Sequence, residues 1–400
     1  MSAPARKRVI LYSNQPVYRV GTSYLAPTRN FTDFLAAVSA SDPNWRIAIP
    51  CAERSAEELN QAQLVQIPLP RAQVIEMPFY DAEYKAPAVS LLAAQRVAGH
   101  VRAALRAGMD VTLGCPAPNS FLFWSSWLVP KNVRFACFIR GDTVRTVAEI
   151  YRGRLIYPAA VTLTKLFRRR VRQLLRAGRA QVFAYGAALL QQYPGPQRRQ
   201  FVIAPLVDEA WIRADSRPAR GADGFRVLFV GRLSREKNIL MLIEACARAA
   251  GTDAEFDLTI AGEGPLRKRI EEHIKSLGVA ARVRLAGLIP SGPPLIETYD
   301  AHDLLCLPSL TEATPRVIVE AAARGVPILA TPVGSVATMF PEAVRLARGF
   351  RAEDLQDAIA ACKRERSAHW LQAQGSIRRA AEFGIGHQAR IVAEQLAQDW

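Results

Sequence analysis

Two carboxylates eight positions apart, Glu312 and Glu320, stand across a predicted loop-to-helix junction. The apolar run at 304–307 is typical of a buried parallel strand, and Pro315 suits a first helical position. Glu312 is therefore expected in the loop after that strand, and Glu320 on the helix, about one and a half turns from its start. Ligands of open α/β sheets bind at this edge, where helix N–H groups meet phosphate and carboxylates accept hydrogen bonds from sugar hydroxyls. The segment predicts a nucleotide-sugar site.

A second candidate site combines a glycine with two bases. Gly231, Arg232 and Lys237 lie between a predicted strand at 226–230 and a predicted helix from 239. The two cations can neutralise a diphosphate, and the glycine permits close backbone approach. Glu236 is placed to form a surface salt bridge with either cation instead, and the residues alone leave both interpretations open.

A second glycine turn, at Gly262, also follows a strand and precedes a helix start. It lacks the third glycine of a dinucleotide-binding fingerprint. We expect it to close the strand and to place backbone near a nucleotide base.

Strand-like and helix-like segments alternate along the second half, which predicts a doubly wound parallel sheet. The strands are expected at 226–230, 258–261, 283–286, 304–307 and 328–330, and the helices at 239–250, 265–277, 295–301 and 316–324. The first half repeats the pattern less clearly. Its strands are expected at 9–12, 46–49, 110–113, 134–139 and 181–185, and its helices at 31–41, 89–107 and 162–177.

These segments indicate two Rossmann-like domains of α/β class. The expected boundaries are a first domain at 1–207, a polar, turn-rich linker at 208–224, a second domain at 225–374, and a helical segment at 375–400 that returns to the first domain. A chain of 400 residues, half of them apolar, can bury two such cores.

The composition bears on the cellular location of the protein and on metal binding. No apolar run approaches the ~18 residues that span a bilayer, and no signal-peptide core is recognisable, so we expect a cytoplasmic location. The six cysteines lie apart, without metal-ligand spacing, and are expected to be small core residues. The five histidines are assigned no role, and no metal site is predicted.

The excess positive charge lies in the first half, with 27 Lys/Arg against 11 Asp/Glu, whereas residues 201–400 carry 25 of each. Residues 152–199 hold 11 bases and no acid. Within this run, helical periodicity predicts an amphipathic helix with apolar positions 163, 166, 167, 171, 174 and 175 on one face. Three interpretations compete: an anionic membrane surface bound through Lys165 to Arg179, a nucleic-acid surface, or a helix packed on the sheet. No nucleic-acid-binding motif supports the second, so no nucleic-acid partner is predicted.

The order of these motifs resembles glycosyltransferase family 4, over residues 226–340 closely and over the first half mainly in architecture. The matching segments are Gly231-Arg232-Leu233 with Lys237, Ala261 to Leu266, Leu307-Pro308-Ser309 leading to the two glutamates, Gly325-Val326-Pro327, and Thr331 to Gly334. The resemblance implies a retaining, metal-independent enzyme of the GT-B fold, whose two Rossmann-like domains face a central cleft.

The resemblance also implies a role for each matching residue. Arg232 and Lys237 would hold the donor diphosphate and help the nucleotide leave, as catalytic residues together with Glu312, which would bind sugar hydroxyls near the reacting carbon. Glu320 would bind the ribose hydroxyls. The backbone of Gly231, Gly262, Arg316 and Val317 would lie against the donor, with the last two N–H groups on phosphate. No cofactor is implied beyond the nucleoside-diphosphate sugar itself.

Several positions depart from the family pattern. Asn238 and Ala313 stand where glycines are common, and Ser335 and Thr338 replace a common glycine and glutamate. These small changes are expected to alter donor choice.

The first domain departs more. Where a histidine is often found, this chain has Arg140 and Asp142; either could serve there, and Asp142 could equally cap a helix. The loop 14–24 is not glycine-rich, although Gly21 would allow close approach to a ligand and Tyr18 and Arg19 could contact an acceptor. A simple surface loop remains open there.

Together these features predict a hexose-transferring, retaining glycosyltransferase peripheral to the inner face of the cell membrane. Its acceptor is expected to be a lipid-linked or anionic glycan in cell-surface polysaccharide or lipopolysaccharide assembly. The alternatives are a non-catalytic membrane or polyanion adaptor on the same fold, and a nucleotide-sugar epimerase.

Overall fold

The computed structural model describes residues 7–26, 30–55, 58–59, 64–80, 86–151, 153, 155–203, 207–215, 224–312, 314–334 and 336–398. The chain divides into two compact units, one of residues 1–204 with 385–400 and one of residues 205–384. Among the described residues, no helix combines the length and the apolar character that a membrane span requires.

The first unit is built on a parallel sheet. Its strands are β1 (Lys7–Tyr12), β2 (Val17–Val20), β3 (Ser23–Ala26), β4 (Arg46–Glu53), β5 (Val65–Ile67), β6 (Val74–Met77), β7 (Asp110–Pro116), β8 (Arg134–Ile139), β9 (Ala180–Tyr185) and β10 (Gln200–Ile203). The parallel strands run in the order β10-β9-β8-β7-β1-β4-β6, and β2, β3 and β5 extend the sheet beside β4.

Helices cover this sheet. They are α1 (Asn30–Ser39), α2 (Ala86–Arg106), α3 (Ser120–Leu128), α4 (Thr143–Tyr151), α5 (Tyr157–Arg176) and α6 (Ala187–Leu190). Aromatic rings form part of the core, where Phe31 and Phe34 of α1 pack edge-on against Phe138 of β8, with ring centroids 5.6 and 5.9 Å apart. Burial of such rings is a large part of the hydrophobic stabilisation of a domain.

The second unit has a purely parallel sheet, with strand order β13-β12-β11-β14-β15-β16. The strands are β11 (Arg226–Val230), β12 (Asp257–Ala261), β13 (Val283–Gly287), β14 (Leu304–Leu307), β15 (Ile328–Ala330) and β16 (Val344–Leu346). The helices are α7 (Ile239–Ala249), α8 (Arg267–Ser276), α9 (Pro293–Asp300), α10 (Arg316–Ala323), α11 (Val336–Met339), α12 (Ala352–Arg364) and α13 (Arg366–Ala380).

Two separate apolar cores lie in this unit. One holds buried side chains of α7, α8 and α12, and the other holds those of α9, α10 and α13. Leu304–Leu307 is buried throughout. This burial agrees with its wholly apolar sequence, since helices cover both faces of a parallel sheet. The predicted doubly wound α/β class is confirmed for this unit.

The expected linker 208–224 is not wholly a linker. Residues 216–223 lie outside the described residues, but Trp211 sits in a short 3₁₀ helix, is 3% exposed, and packs edge-on against Tyr299 of α9. A buried indole ties Asp208–Asp215 to the second unit. The polar composition of this stretch did not reveal this contact, because a single tryptophan makes it.

The last helix, α14 (Ile385–Ala397), belongs to the first unit and packs on α1. The Lys7 ammonium also donates to the Gln398 carbonyl at 2.6 Å. The return to the first unit was expected from residue 375, but it starts at Ile385 because α13 packs on α10 of the second unit.

Candidate functional site

Close backbone packing shapes the loops that follow β11 and β12. The Gly231 N–H donates to the Ala261 carbonyl at 3.0 Å, and the Leu233 N–H donates to the Glu263 carbonyl at 2.9 Å. At Gly262 φ is +146°, and a Cβ there would lie 1.9 Å from the Gly231 carbonyl oxygen. Only glycine fits this crossing. Gly262 therefore has a structural task, whatever it contributes to a ligand.

The segment after Gly231 turns through a 3₁₀ helix at Arg235–Lys237 and then a left-handed residue, Asn238, with φ of +55°. Asparagine tolerates this conformation better than other residues with a side chain. Its amide nitrogen donates to the Phe350 carbonyl at 2.9 Å. The departure from glycine at this position thus keeps the turn that glycine would provide.

This turn brings Lys237 against Glu312. The Lys237 Nζ lies 2.5 Å from Glu312 Oε1, and the Ser309 hydroxyl donates to the same oxygen at 2.7 Å. The side chains of Lys237 and Glu312 are 21% and 9% exposed. The Leu310 N–H also donates to the Glu236 carbonyl at 2.8 Å, so the loops after the neighbouring strands β11 and β14 are bonded to each other. Two motifs that the sequence keeps 75 residues apart meet at one sheet edge.

Glu236 does not form the salt bridge that its position allowed. Its carboxylate accepts a hydrogen bond from the Ser234 hydroxyl at 2.5 Å, while Lys237 pairs with Glu312. Arg232 is exposed on the adjoining loop, and no hydrogen bond or ion pair of its side chain is recorded among the described residues.

Glu320 is 3% exposed, and both of its carboxylate oxygens are bonded. The Tyr299 hydroxyl donates to Oε2 at 2.8 Å, and Arg316 Nε donates to Oε1 at 2.7 Å. Burial raises the pKa of the Tyr299 phenol well above its usual value, and the Glu320 charge raises it further. The phenol therefore stays protonated and remains a hydrogen-bond donor.

The helix that carries Glu320 begins at Arg316, the predicted start, although Pro315 is not its first helical residue. Pro315 is extended, with φ of −73° and ψ of 120°, and α10 starts at Arg316. Arg316 and Val317 are partly exposed at the first turn, where helix N–H groups lack intrahelical acceptors. Both residues thus lie at the edge that carries Glu312 and Lys237, as the sequence predicted.

Two partners of the glutamates were missed by sequence reasoning. Tyr299 lies 21 positions before Glu320 on another helix, so no local pattern connects them. Ser309 precedes Glu312 by three positions and could have been noticed as a hydroxyl within reach of the carboxylate. Ala313 and Ser335, two of the departures from the family pattern, lie outside the described residues, and Thr338 is exposed on α11.

In the first unit, the expected loop 14–24 is largely a β-hairpin of β2 and β3. Gly21 is exposed at its two-residue turn with φ of +59°, the conformation that this turn requires. Arg19 forms salt bridges with Glu53 at 2.7 Å and Glu76 at 2.8 Å, and Tyr18 packs against Phe79. The structure thus gives Gly21 and Arg19 local structural tasks in the sheet.

Arg140 and Asp142 also have partners within the first unit. Arg140 lies over the Phe31 ring at 4.5 Å and donates to Asn14 Oδ1 at 3.4 Å. Asp142 accepts from the Arg145 N–H at 3.2 Å in the first turn of α4, and from the Gln192 amide at 3.2 Å. Asp142 is therefore a helix-capping residue, one of the two possibilities that the sequence left open. Arg140 is exposed beside the loop after β1.

The predicted amphipathic helix is α5, and its apolar face is divided. Val171, Leu174 and Leu175 are buried, whereas Leu163 and Leu166 are exposed. The packing interpretation thus holds for the carboxyl-terminal half alone. Several of the arginines bond to oxygens of their own unit: Arg168 and Arg172 to Gln192, Arg170 to Ser126, and Arg179 to the carbonyls of Pro130 and Val133.

Among the described residues, no group of three or more His, Cys, Asp or Glu side chains is placed to hold a metal ion. The six cysteines are unpaired thiols, and five of them are buried.

Residues 213–374 match the family of glycosyl transferases group 1. The chain is 33% identical over 217 residues to a D-inositol 3-phosphate glycosyltransferase of Rhodococcus jostii, covering 50% of this chain and 48% of that protein. It is 26% identical over 179 residues to a 2-deoxystreptamine glucosyltransferase of Streptomyces kanamyceticus, covering 42% and 46%. The chain spans about half the length of the curated relatives that it matches.

Solved structures match over nearly the whole chain. WaaG, a glycosyltransferase involved in lipopolysaccharide biosynthesis, has a TM-score of 0.66 at 17% identity and covers 98% of this chain and 100% of its own. HepE of Anabaena in complex with UDP and glucose gives the same TM-score, identity and coverage. Sequence motifs, sheet order and these neighbours agree. Residues 213–374 are thus similar to the group 1 glycosyl transferases, and the chain has the GT-B fold of these neighbours.

Proposed function

We propose that this protein is a retaining glycosyltransferase that moves a hexose-type sugar from a nucleoside diphosphate to a lipid-linked or anionic glycan acceptor. The observation that carries the proposal is the meeting of Lys237 with Glu312 at 2.5 Å, close to the first turn of α10. A cation, a carboxylate and the amino terminus of a helix at one sheet edge are what a sugar diphosphate needs.

In the structure, Lys237 and Glu312 are paired with each other. When the donor enters, its diphosphate competes for the Lys237 ammonium, and its sugar hydroxyls take the place of that ammonium on Glu312. Arg232, exposed on the loop above Gly231, adds the second positive charge. These cations and the amino terminus of α10 stabilise the negative charge that develops on the leaving diphosphate. With no separate protein nucleophile, attack on the donor's front face would retain the anomeric configuration.

Glu320 is proposed to bind the ribose. Tyr299 is 0% exposed, so its hydrogen bond to Oε2 stays in place and fixes the carboxylate. The Arg316 side chain is 32% exposed and is the partner that a ribose hydroxyl can replace at Oε1. Its guanidinium is then able to turn toward the donor phosphates, alongside the Arg316 and Val317 N–H groups.

Structures similar to this chain support a nucleotide-sugar donor, whereas the acceptor is our proposal. HepE was solved with UDP and with UDP-glucose, and WaaG acts in lipopolysaccharide biosynthesis. We propose a related setting for this chain, the assembly of surface polysaccharide or lipopolysaccharide. The acceptor is assigned to the first unit, where exposed Arg140 offers a positive charge beside the loop after β1.

The basic first unit is proposed to dock on the anionic inner face of the cell membrane, which would make the protein cytoplasmic and peripheral. Lys165, Arg169 and Arg176 are the exposed bases of α5, and Leu163 and Leu166 expose apolar surface on the same helix. Exposed leucines and lysine or arginine on one helix suit the interface between headgroups and acyl chains.

Calorimetric titration of UDP, GDP and ADP into the purified protein tests the donor site. We expect one of the three to bind, and Glu320→Gln to weaken it by roughly tenfold or more, because a hydrogen bond from ribose to a charged acceptor is worth ~1.5–3 kcal/mol. Glu342→Gln is the matched control, since it breaks the exposed pair with Arg379 elsewhere in the same unit.

Binding of none of the three nucleotides would remove the transferase proposal and favour the non-catalytic adaptor. Equal binding by Glu320→Gln and the wild type would show that Glu320 does not hold the ribose. Circular dichroism of both variants checks that the fold is unchanged.

A further inference from the structure

A cavity of about 550 Å³ opens between the ends of α3 and α5 in the first unit. It is lined by Phe123, Trp127, Leu166, Arg169, Arg170, Gln173, Leu174, Ala177 and Arg179. Arg179 directly precedes β9, so the cavity lies at the amino edge of the sheet. The loop after β1 and Arg140 after β8 lie at the carboxyl edge. This cavity is therefore separate from the proposed acceptor site.

Large apolar side chains that line the cavity are exposed to solvent. Trp127 is 66% exposed and Leu166 is 44% exposed. The Arg170 guanidinium lies 4.4 Å from the centroid of the Trp127 ring, which is a cation–π distance. Large apolar side chains so exposed, next to bases, mark a surface that meets another apolar phase.

Three arginines line the cavity and no lining residue is acidic. Among the described residues, none of these three guanidinium groups forms a recorded ion pair. Burial lowers the pKa of Arg170 and of Arg179, and the Arg170 charge lowers that of Arg179 further. The buried Arg179 Nε also has no recorded hydrogen-bond partner. An anion in the cavity would relieve this repulsion between positive charges.

The arginines are already partly held in position. Arg170 donates through Nε to the Ser126 hydroxyl at 2.8 Å, and Arg179 donates to the Pro130 carbonyl at 3.2 Å. Arg169 is exposed, and its side chain forms no recorded hydrogen bond or ion pair in the described part of the chain, so its guanidinium is able to close on a ligand. Two fixed cations and one adjustable cation form a preorganised phosphate site.

We propose that this cavity binds the phosphate of one anionic phospholipid headgroup, with Trp127 and Leu166 entering the interface beside it. The proposal rests on the proposed membrane docking and gives it a defined site. A lipid is favoured over a free phosphate because the exposed apolar side chains of the cavity, Trp127 and Leu166, would gain nothing from a soluble anion.

Vesicle sedimentation with the full chain tests the site, using phosphatidylcholine vesicles with and without phosphatidylglycerol. Arg169→Gln is compared with Arg176→Gln, which removes the same charge from the same helix outside the cavity. We expect Arg176→Gln to lower partitioning about fivefold, the value of one charge near the surface. Arg169→Gln should lower it roughly fiftyfold, because a charge-assisted hydrogen bond is lost as well. Trp127→Ala should also weaken binding without a change in charge.

Equal losses in the two arginine variants would indicate a diffuse basic surface and overturn the site, as would equal binding to vesicles without phosphatidylglycerol. Glycerol 3-phosphate is added as a soluble competitor; if it binds the protein while the vesicles do not, the ligand is a free phosphate and the proposal is wrong. Nucleotide titration on the same preparations reads the donor site independently. A wild-type protein that binds a nucleotide but does not bind the vesicles would therefore reject the lipid site alone.

Discussion

Charged residues of the proposed donor site neutralise one another in pairs. Lys237 lies against Glu312, and Arg316 against Glu320, with both carboxylates at most 9% exposed. Removing one partner of such a pair leaves a charge in a poorly hydrated place, at a cost that often exceeds the value of the pair. Under the proposed function, a donor replaces the Lys237 and Arg316 side chains on these carboxylates.

Asn238 illustrates how a single residue supports this arrangement. We predict that Asn238→Gly retains nearly full stability, whereas Asn238→Ala is less stable than Asn238→Gly by about 1 kcal/mol, because alanine is strained at φ of +55°. Both changes lose the hydrogen bond to the Phe350 carbonyl, so their difference isolates the backbone effect. Urea unfolding of the two variants measures it. Equal stability would show that the turn adapts.

At the scale of elements, the crossing of the loops after β11 and β12 fixes the position of the loop that carries Arg232 and Lys237. The contact is between backbones. Gly264 takes part as well, because a Cβ on this residue would lie 2.5 Å from the Leu233 carbonyl oxygen. Glycine is therefore required at these positions because the ends of two neighbouring strands lie so close together. This is a tertiary constraint, which the sequence motif alone does not reveal.

We predict that Gly262→Ala destabilises the second unit by more than about 3 kcal/mol, because the added methyl would overlap the Gly231 carbonyl. Gly375→Ala is the matched control, since nothing lies within 4 Å of its Cβ position in α13. There the change should be neutral or stabilise by up to about 1 kcal/mol. Thermal unfolding compares them, and a mild effect of Gly262→Ala would contradict the described crossing.

Sequence patterns foresaw some elements and not others, for physical reasons. β14 and α10 were predicted closely because a buried parallel strand is a continuous apolar run and because Gly325 stops the helix. The β2–β3 hairpin was missed, since its residues are only partly buried and mixed in polarity. The Tyr299–Glu320 bond and the buried Trp211 depend on distant partners, which one sequence does not reveal.

At the scale of the whole molecule, buried histidines link stability to pH. Burial lowers the pKa of His302 and of His369, both in the second unit. The His369 Nε2 meets the Ala343 carbonyl at 3.2 Å, whereas its buried Nδ1 has no recorded partner among the described residues. Around this ring, Arg345 opposes protonation and Glu365 favours it.

We predict that the second unit loses stability as the pH falls below about 6.5, because the unfolded chain then binds protons that the folded histidines refuse. Each histidine contributes up to about 1.4 kcal/mol per pH unit within this window, and nothing above it. His369→Gln should flatten the slope, whereas His387→Gln, in the first unit, should leave it unchanged. Urea unfolding at a series of pH values measures both, and a parallel slope for His369→Gln would rule this histidine out as a source.

Because α14 belongs to the first unit, the order in which the two units can fold differs from the order in which they are synthesised. Residues 205–384 form a continuous unit, whereas the first unit needs residues 385–400 before α1 is covered. On the ribosome, the unit that is made second can therefore finish first, and the unit made first must wait with an apolar helix face uncovered. A nascent chain stopped before residue 385 would carry a complete second unit and an incomplete first unit, whose uncovered helix face chaperones could bind.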